Sequence, residues 1–251
     1  YNDCLTAFKN FFKSFNGEYK STSKYPKFKK KGKCKETYRI ACTYDKKRNN
    51  RPDIKILNKN HIIIPKLGIV KFTNYKKLDW NVVHIINITI KKSKTNKFYC
   101  SICCEVPEET HLKPKYYATA FDLGIKDFAI FDDGTVIENP KFFIKSHKKL
   151  AKMQRKLSKC KYGSNGYKKQ KLKVAKLYEH IKNQRKDFQH KVSSRIVNEN
   201  QVIISEDLNV KGMLKNHKLA KSIQDASFGT FCNMIKYKSE QKHRIYLKID
   251  R

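Results

Sequence analysis

Three observations predict a multidomain α+β fold. Hydrophobicity alternates with period two over residues 36–106. A short meander at 117–138 has a first strand that ends in an acid. A long Lys-rich pair of helical segments at 145–199 leads into another apolar strand.

The chain opens on helical spacing. Leu5, Phe8, Phe12 and Phe15 recur at three- and four-residue intervals with Lys9 and Lys13 between them, which predicts an amphipathic helix ending near Gly17. That aromatic stripe serves either as core or as a base-stacking surface. Residues 24–33 follow as a basic linker in which Tyr25 and Phe28 interleave with Lys, a pattern shared by nucleic-acid-binding segments and plain solvated linkers.

Strands are expected at 37–43, 53–57, 61–64, 68–72, 84–90 and 97–106, separated by Asn, Lys, Pro and Gly, and their number predicts a small antiparallel barrel or open sheet. Residues 107–115, bracketed by Pro107 and Pro114, read as an interdomain linker.

The next strand carries the chemistry. In residues 117–123, Ala118, Ala120 and Asp122 share one face while Tyr117, Thr119 and Phe121 share the other. Asp133 and Gly134 signal the hairpin between the strands at 128–131 and 136–138. Far downstream, residues 202–208 form a second apolar strand on which Val202, Ile204 and Glu206 share a face and Asp207 points the other way. Two such strands can bring Asp122 and Glu206 together at one sheet edge. Hard carboxylate oxygens of that kind suit Mg²⁺ or Mn²⁺ in phosphodiester cleavage, although either acid alone could equally serve a turn or cap.

Between the two acids lies a basic helical hairpin. Leu150, Met153 and Leu157 give the helix at 145–159 a narrow apolar seam, covered elsewhere by Lys148, Lys149, Lys152, Arg155 and Lys156. After a turn at 163–166, a longer helix runs to about Glu199. Leu172, Ala175, Tyr178, Ile181, Phe188, Val192 and Ile196 occupy its apolar side, with Lys168, Lys169, Lys173, Lys176 and Arg185 elsewhere. A charged helix face is usually only solvated, but here one sign so dominates that mutual repulsion would need a counter-charge, of which phosphate backbone is the natural supplier. Beyond Glu206, the basic segment containing Lys211, Gly212 and Lys215 suits a mobile lid; Asp225 reads as the N-cap of a helix carrying Phe228, Phe231, Met234, Ile235 and Tyr237, and a last strand occupies 243–249.

Composition narrows the function classes. With 57 Lys and Arg against 22 acids, the net charge of +35 favours a polyanionic partner over an acidic small molecule. No apolar run has membrane-spanning length and no signal peptide is evident, so no membrane association is expected. The eight cysteines read as reduced thiols of an intracellular protein: strand alternation sends Cys100 and Cys104 to one face and Cys103 to the other, which prevents the CxxC from chelating one ion.

Several ordered strings resemble one family. They are Phe121-Asp-Leu-Gly-Ile-Lys-Asp-Phe-Ala129, Lys148-Lys-Leu-Ala-Lys-Met-Gln-Arg-Lys-Leu-Ser158, Asn183-Gln-Arg-Lys-Asp-Phe-Gln-His-Lys191 and the run from Glu206-Asp-Leu-Asn-Val-Lys-Gly-Met213 to Gln224-Asp-Ala-Ser227, with Tyr25-Pro-Lys-Phe-Lys29 and Ile64-Pro-Lys-Leu-Gly68 upstream. They are similar to TnpB, the OrfB proteins of bacterial insertion sequences, whose eukaryotic and giant-virus relatives are called Fanzor.

The resemblance implies an RNA-guided DNA endonuclease with a guide RNA and double-stranded target DNA as partners. It implies the end of a helical recognition insert at 1–24, a wedge-type β-barrel at 25–115, and an RNase H-like RuvC nuclease at 116–251 with the hairpin 145–199 inserted. Asp122 and Glu206 would be catalytic and hold Mg²⁺ or Mn²⁺, and the hairpin would bear on guide RNA or its heteroduplex. A prokaryotic member would work in the cytoplasm or nucleoid, a eukaryotic or viral one in the nucleus or virus.

The family's third catalytic aspartate and its zinc ribbon would lie beyond a strand like the last one here, and its first barrel strand ahead of Tyr1. The expectation is thus an incomplete nuclease, inactive as it stands, with Zn²⁺ only in the missing ribbon. Phe228 stands where relatives often carry Trp. A guide-dependent DNA binder with a dead site and a strand-joining transposase remain as alternatives.

Overall fold

A computed structural model describes residues 2–16, 25–27, 34, 36–42, 53–73, 80, 83–106 and 113–250. The chain divides into two compact units, Tyr1–Pro107 and Glu108–Arg251. Most of the expected linkers at 24–33 and 107–115 lie outside the described residues.

The first unit opens with helix α1, Asn2–Phe15. Its aromatic stripe splits. Phe8 and Phe11 pack edge-on against Tyr25 at 5.7 and 5.3 Å, whereas Phe12 and Phe15 are exposed. Strands β1 (Thr37–Ala41), β5 (His84–Lys92) and β6 (Phe98–Glu105) form one antiparallel sheet in the order β1-β5-β6, and β2 (Lys55–Asn58), β3 (His61–Ile64) and β4 (Gly68–Lys71) form another. Ile54, Ile62, Ile64, Ile85 and Ile88 are buried in one core, with Ile40, Ile90 and Ile102 packed against it. Period-two alternation therefore supplies one apolar face to each sheet, and the two sheets share it. Thr43, the expected end of the first strand, lies outside the described residues. Cys100, Cys103 and Cys104 are free thiols, and no group of three or more potential metal ligands forms among the described residues.

The second unit is built on a five-stranded sheet of order β11-β10-β7-β8-β9, comprising β7 (Tyr116–Asp122), β8 (Asp127–Phe131), β9 (Val136–Glu138), β10 (Asn200–Glu206) and β11 (Ile245–Ile249). β7, β8 and β9 form an antiparallel meander, while β10 runs parallel to both β7 and β11. Between β9 and β10 stand the hairpin helices α2 (Phe142–Ser158) and α3 (Asn165–Glu199); α4 (Val210–Met213), α5 (Ala220–Ala226) and α6 (Phe228–Gln241) follow β10. No helix among the described residues is long and apolar enough to cross a membrane.

One sheet face carries the core. Phe121, Ala129 and Ile203 pack with Val192, Ile196 and Val197 of α3 and with Ile223, Phe228, Phe231 and Ile235 of the following helices. Phe128 anchors it, 4.9 Å from both Phe188 and Phe231. Phe228 is fully buried there as a Phe. The opposite face stays apolar but open: Ile130, Val136, Ile245, Leu247 and Ile249 are all about half exposed.

Three details differ from the sequence reading. First, α2 begins at Phe142, three residues early, and Asp225 is the reason. Rather than capping α6, it accepts the backbone N–H groups of Phe143 at 3.0 Å and Ile144 at 3.3 Å, satisfying the orphan donors of α2 across the fold. Second, α3 buries Gln170 and Val174 against α2, with Gln170 Nε2 donating to the carbonyl of Met153 at 3.0 Å, while Tyr178 stays partly exposed and its hydroxyl accepts from Gln154. Third, the segment expected to be a lid is largely anchored. Ile223 and Ala226 of α5 are buried, and turns at 214–219 join α4 to α5.

Candidate active site

The meander places Asp122 at the C-terminal end of β7, and the crossover through the helical hairpin places Glu206 at the C-terminal end of β10. Register brings them side by side. Ser205 pairs with Phe121 across parallel strands, so the next residue on each strand is an acid, with Cα atoms about 5 Å apart. Asp122 shares its face with Ala118 and Ala120, and Glu206 shares the same face with Val202 and Ile204. That face is the open one. The sheet grows outward on one side of β7 through β8 and β9, then resumes on the other through β10 and β11, so the two acids mark the point where strand order reverses. Open α/β sheets bind ligands at such points, beyond the carboxyl ends of the strands.

Local chemistry fixes each acid. Asp122 accepts the backbone N–H of Leu123 at 2.8 Å through one carboxylate oxygen. Gly124 is required just beyond: a Cβ there would stand 2.8 Å from the carbonyl oxygen of Asp127, closer than non-bonded atoms approach. On β10, Ser205 is buried and bonds the Tyr246 hydroxyl at 2.8 Å, which ties β10 to β11 directly behind Glu206. Burial holds that phenol protonated well above its usual range. Asp207 points away and pairs with Lys248 at 2.6 Å, a bond that raises the lysine's pKa. Of the two neighbouring acids, Glu206 alone therefore faces the site.

Two further acids line the same pocket, Asp132 after β8 and Asp250 after β11. Asp132 accepts a bond from Thr119 Oγ1 at 3.2 Å. Neither was singled out in the sequence: Asp132 sits beside Asp133 in what reads as a hairpin turn, and Asp250 follows the last strand. Four carboxylates around one shallow pocket make a local anionic site within a chain of net charge +35. Their hard oxygens fit Mg²⁺ or Mn²⁺. Among the described residues no group of three or more potential ligands converges on one point.

The cationic side chains divide by position. Lys148, Lys149, Lys152, Arg155 and Lys156 on α2 and Lys168, Lys169, Lys173 and Lys176 on α3 are exposed, as is Lys215 beyond α4. No acid occurs between Glu138 and Glu179, so this part of the hairpin has no internal counter-charge. Arg185 differs: it is partly buried, and its guanidinium meets the Asp225 carboxylate at 2.9 Å, so the fold itself accounts for its charge. The Lys211 side chain lies outside the described residues.

Fold and site together define an α+β protein with a carboxylate cluster at a sheet switch point and a cationic helical hairpin inserted between its two central acids. Residues 101–217 match the OrfB_IS605 family model, described as "Probable transposase". A "Putative RNA-guided DNA endonuclease" of Streptomyces pristinaespiralis is 32% identical over 254 residues, an alignment covering 98% of this chain and 57% of that protein. InsQ of Escherichia coli K12, which carries the same designation, is 33% identical over 215 residues, covering 85% of this chain and 48% of InsQ. The chain is similar to OrfB (TnpB) proteins along nearly all of its length, and it spans about half the length of the curated relatives it matches. Among solved structures, a Cas12f1 complex with sgRNA and target DNA is similar at 15% identity and a TM-score of 0.40, covering 67% of this chain and 36% of that one.

Proposed function

We propose that the second unit is the RuvC-type, RNase H-like nuclease region of an RNA-guided DNA endonuclease that hydrolyses target-strand phosphodiesters with a divalent metal. The observation that carries this reading is the pairing of Asp122 with Glu206 at the ends of adjacent parallel strands, reached through a hairpin rich in unpaired lysines. Similarity to curated relatives that carry the name of that activity supports it.

In this reading Asp122 and Glu206 hold Mg²⁺ or Mn²⁺. When bound, the ion supplies a more acidic water and stabilises charge on the leaving oxygen. The protein supplies position. β7 and β10 fix the carboxylates relative to one another, the Ser205–Tyr246 bond stiffens the floor beneath them, and the lysines of α2 and α3 hold the nucleic-acid backbones. Guide pairing, rather than contacts from this chain, selects the sequence to be cut.

The test is cleavage of a matched plasmid by the complete gene product with its guide RNA and Mg²⁺. Asp122→Ala and Glu206→Ala each abolish cleavage and leave guide-RNA binding intact. Cleavage that persists in both variants would overturn the assignment.

A further inference from the structure

The far end of the helical hairpin carries a feature that folding does not require. Tyr162, in the turn between α2 and α3, is 85% exposed. Its ring lies 5.0 Å from that of Tyr167 in the first turn of α3, tilted by 53°. Lys171 places its ammonium 5.8 Å from the Tyr167 centroid. Ser164 caps α3 by accepting the N–H of Tyr167 at 3.1 Å, which fixes the second ring against the turn. Neither tyrosine serves the sheet core, because Tyr167 stands about 30 Å along α3 from Phe188, where that helix reaches the core. A large aromatic side chain held in water at the end of a rigid arm has no packing reason to be there.

Its surroundings define what it fits. Lys159, Lys161, Lys168, Lys169 and Lys171 flank the two rings, and the nearest acids in sequence are Glu138 and Glu179. Exposed aromatic rings framed by cations stack on bases whose phosphates the cations neutralise. Paired bases inside a duplex offer no free face, whereas an unpaired base beside a duplex offers one.

We propose that the Tyr162–Tyr167 tip is a stacking site for an unpaired nucleobase next to the duplex that the α2–α3 lysines hold; it rests on the reading that this hairpin binds nucleic acid. Tyr162 supplies the stacking face, Tyr167 backs it, and the flanking lysines bind the adjoining phosphates.

Duplex probes carrying 2-aminopurine in a single-stranded overhang, made as RNA and as DNA, are titrated with the full chain alongside blunt duplexes of equal charge. Stacking quenches the 2-aminopurine emission. Tyr162→Ala loses the quench and weakens overhang binding roughly 5- to 150-fold, the range for one base–aromatic stack, and leaves blunt-duplex binding unchanged. Tyr162→Phe and Tyr162→Trp keep both signals, which separates lost stacking from a disturbed turn. Unchanged quenching in Tyr162→Ala, or an equal loss on overhang and blunt probes, overturns the proposal alone. A wild-type chain that binds none of the probes overturns it together with the nucleic-acid reading of the hairpin.

Discussion

The carboxylate of Asp225 meets the guanidinium of Arg185 at 2.9 Å while accepting two backbone N–H groups from the first turn of α2. One nearly buried side chain thus joins three helices: α5, which carries it, α3 through Arg185, and α2 through Phe143 and Ile144. The residue at the start of α2, Lys141, has a left-handed backbone and provides no side-chain cap of its own. An ion pair, a cap and a favourable charge at a helix N-terminus coincide in one carboxylate.

Removing that carboxylate strands a partly buried cation and uncaps α2 together. Asp225→Ala is expected to lower unfolding free energy by about 3–5 kcal/mol, the usual cost of breaking a buried pair, as read by urea denaturation. Amide exchange at Phe143 and Ile144 should accelerate at the same time. A double-mutant cycle with Arg185→Met then separates the ion pair from the cap: the coupling energy reports the pair, and the loss of protection that persists on the Arg185→Met background reports the cap.

This junction also shows where sequence reasoning stops. Alternation alone puts Asp122 with Ala120 and Glu206 with Ile204 on one face each, because strand period is a local property, and the structure sets those faces together. The basic hairpin is equally legible, since its helical spacing and its lack of acids persist over many residues. Asp225 is not legible. A residue ahead of a helix looks like that helix's cap, and only the tertiary fold brings it to N–H groups more than eighty positions upstream. Gln170 and Val174 were missed for a related reason: a helix packed against another helix buries whatever its crossing geometry selects, including a glutamine whose amide finds a carbonyl. Asp132 and Asp250 enter the pocket through strand pairing that no single stretch reveals.

Gly124 links this geometry to the candidate site. Its missing Cβ leaves room for the Asp127 carbonyl, and the atom in the way is backbone, which cannot swing aside as a side chain would. Gly124→Ala therefore forces the β7–β8 turn to open two residues beyond Asp122. The expected destabilisation is roughly 1–3 kcal/mol, the range for overpacking, measured by urea unfolding. If Asp122 is a metal ligand, the same variant of the complete protein should also need more Mg²⁺ for half-maximal cleavage, because the carboxylate shifts relative to Glu206 while its chemistry is unchanged.

The hairpin lysines give a prediction that needs no cleavage at all. Each phosphate a lysine neutralises contributes about 0.9 to the slope of log affinity against log salt on duplex DNA, and about 0.7 on single strands. Replacing Lys148, Lys149 and Lys152 together by Ala should flatten that slope by about 2 to 3 if all three contact phosphate. Lys191 is the internal control. Its ammonium is already paired with Asp187 at 2.7 Å, one helical turn away on α3, so Lys191→Ala should leave the slope nearly unchanged. Fluorescence anisotropy across a salt series distinguishes the two outcomes. Flattening by Lys191→Ala of about one third of that of the triple variant, the same loss per charge removed, would mean that net charge, rather than the exposed face of α2, sets the affinity.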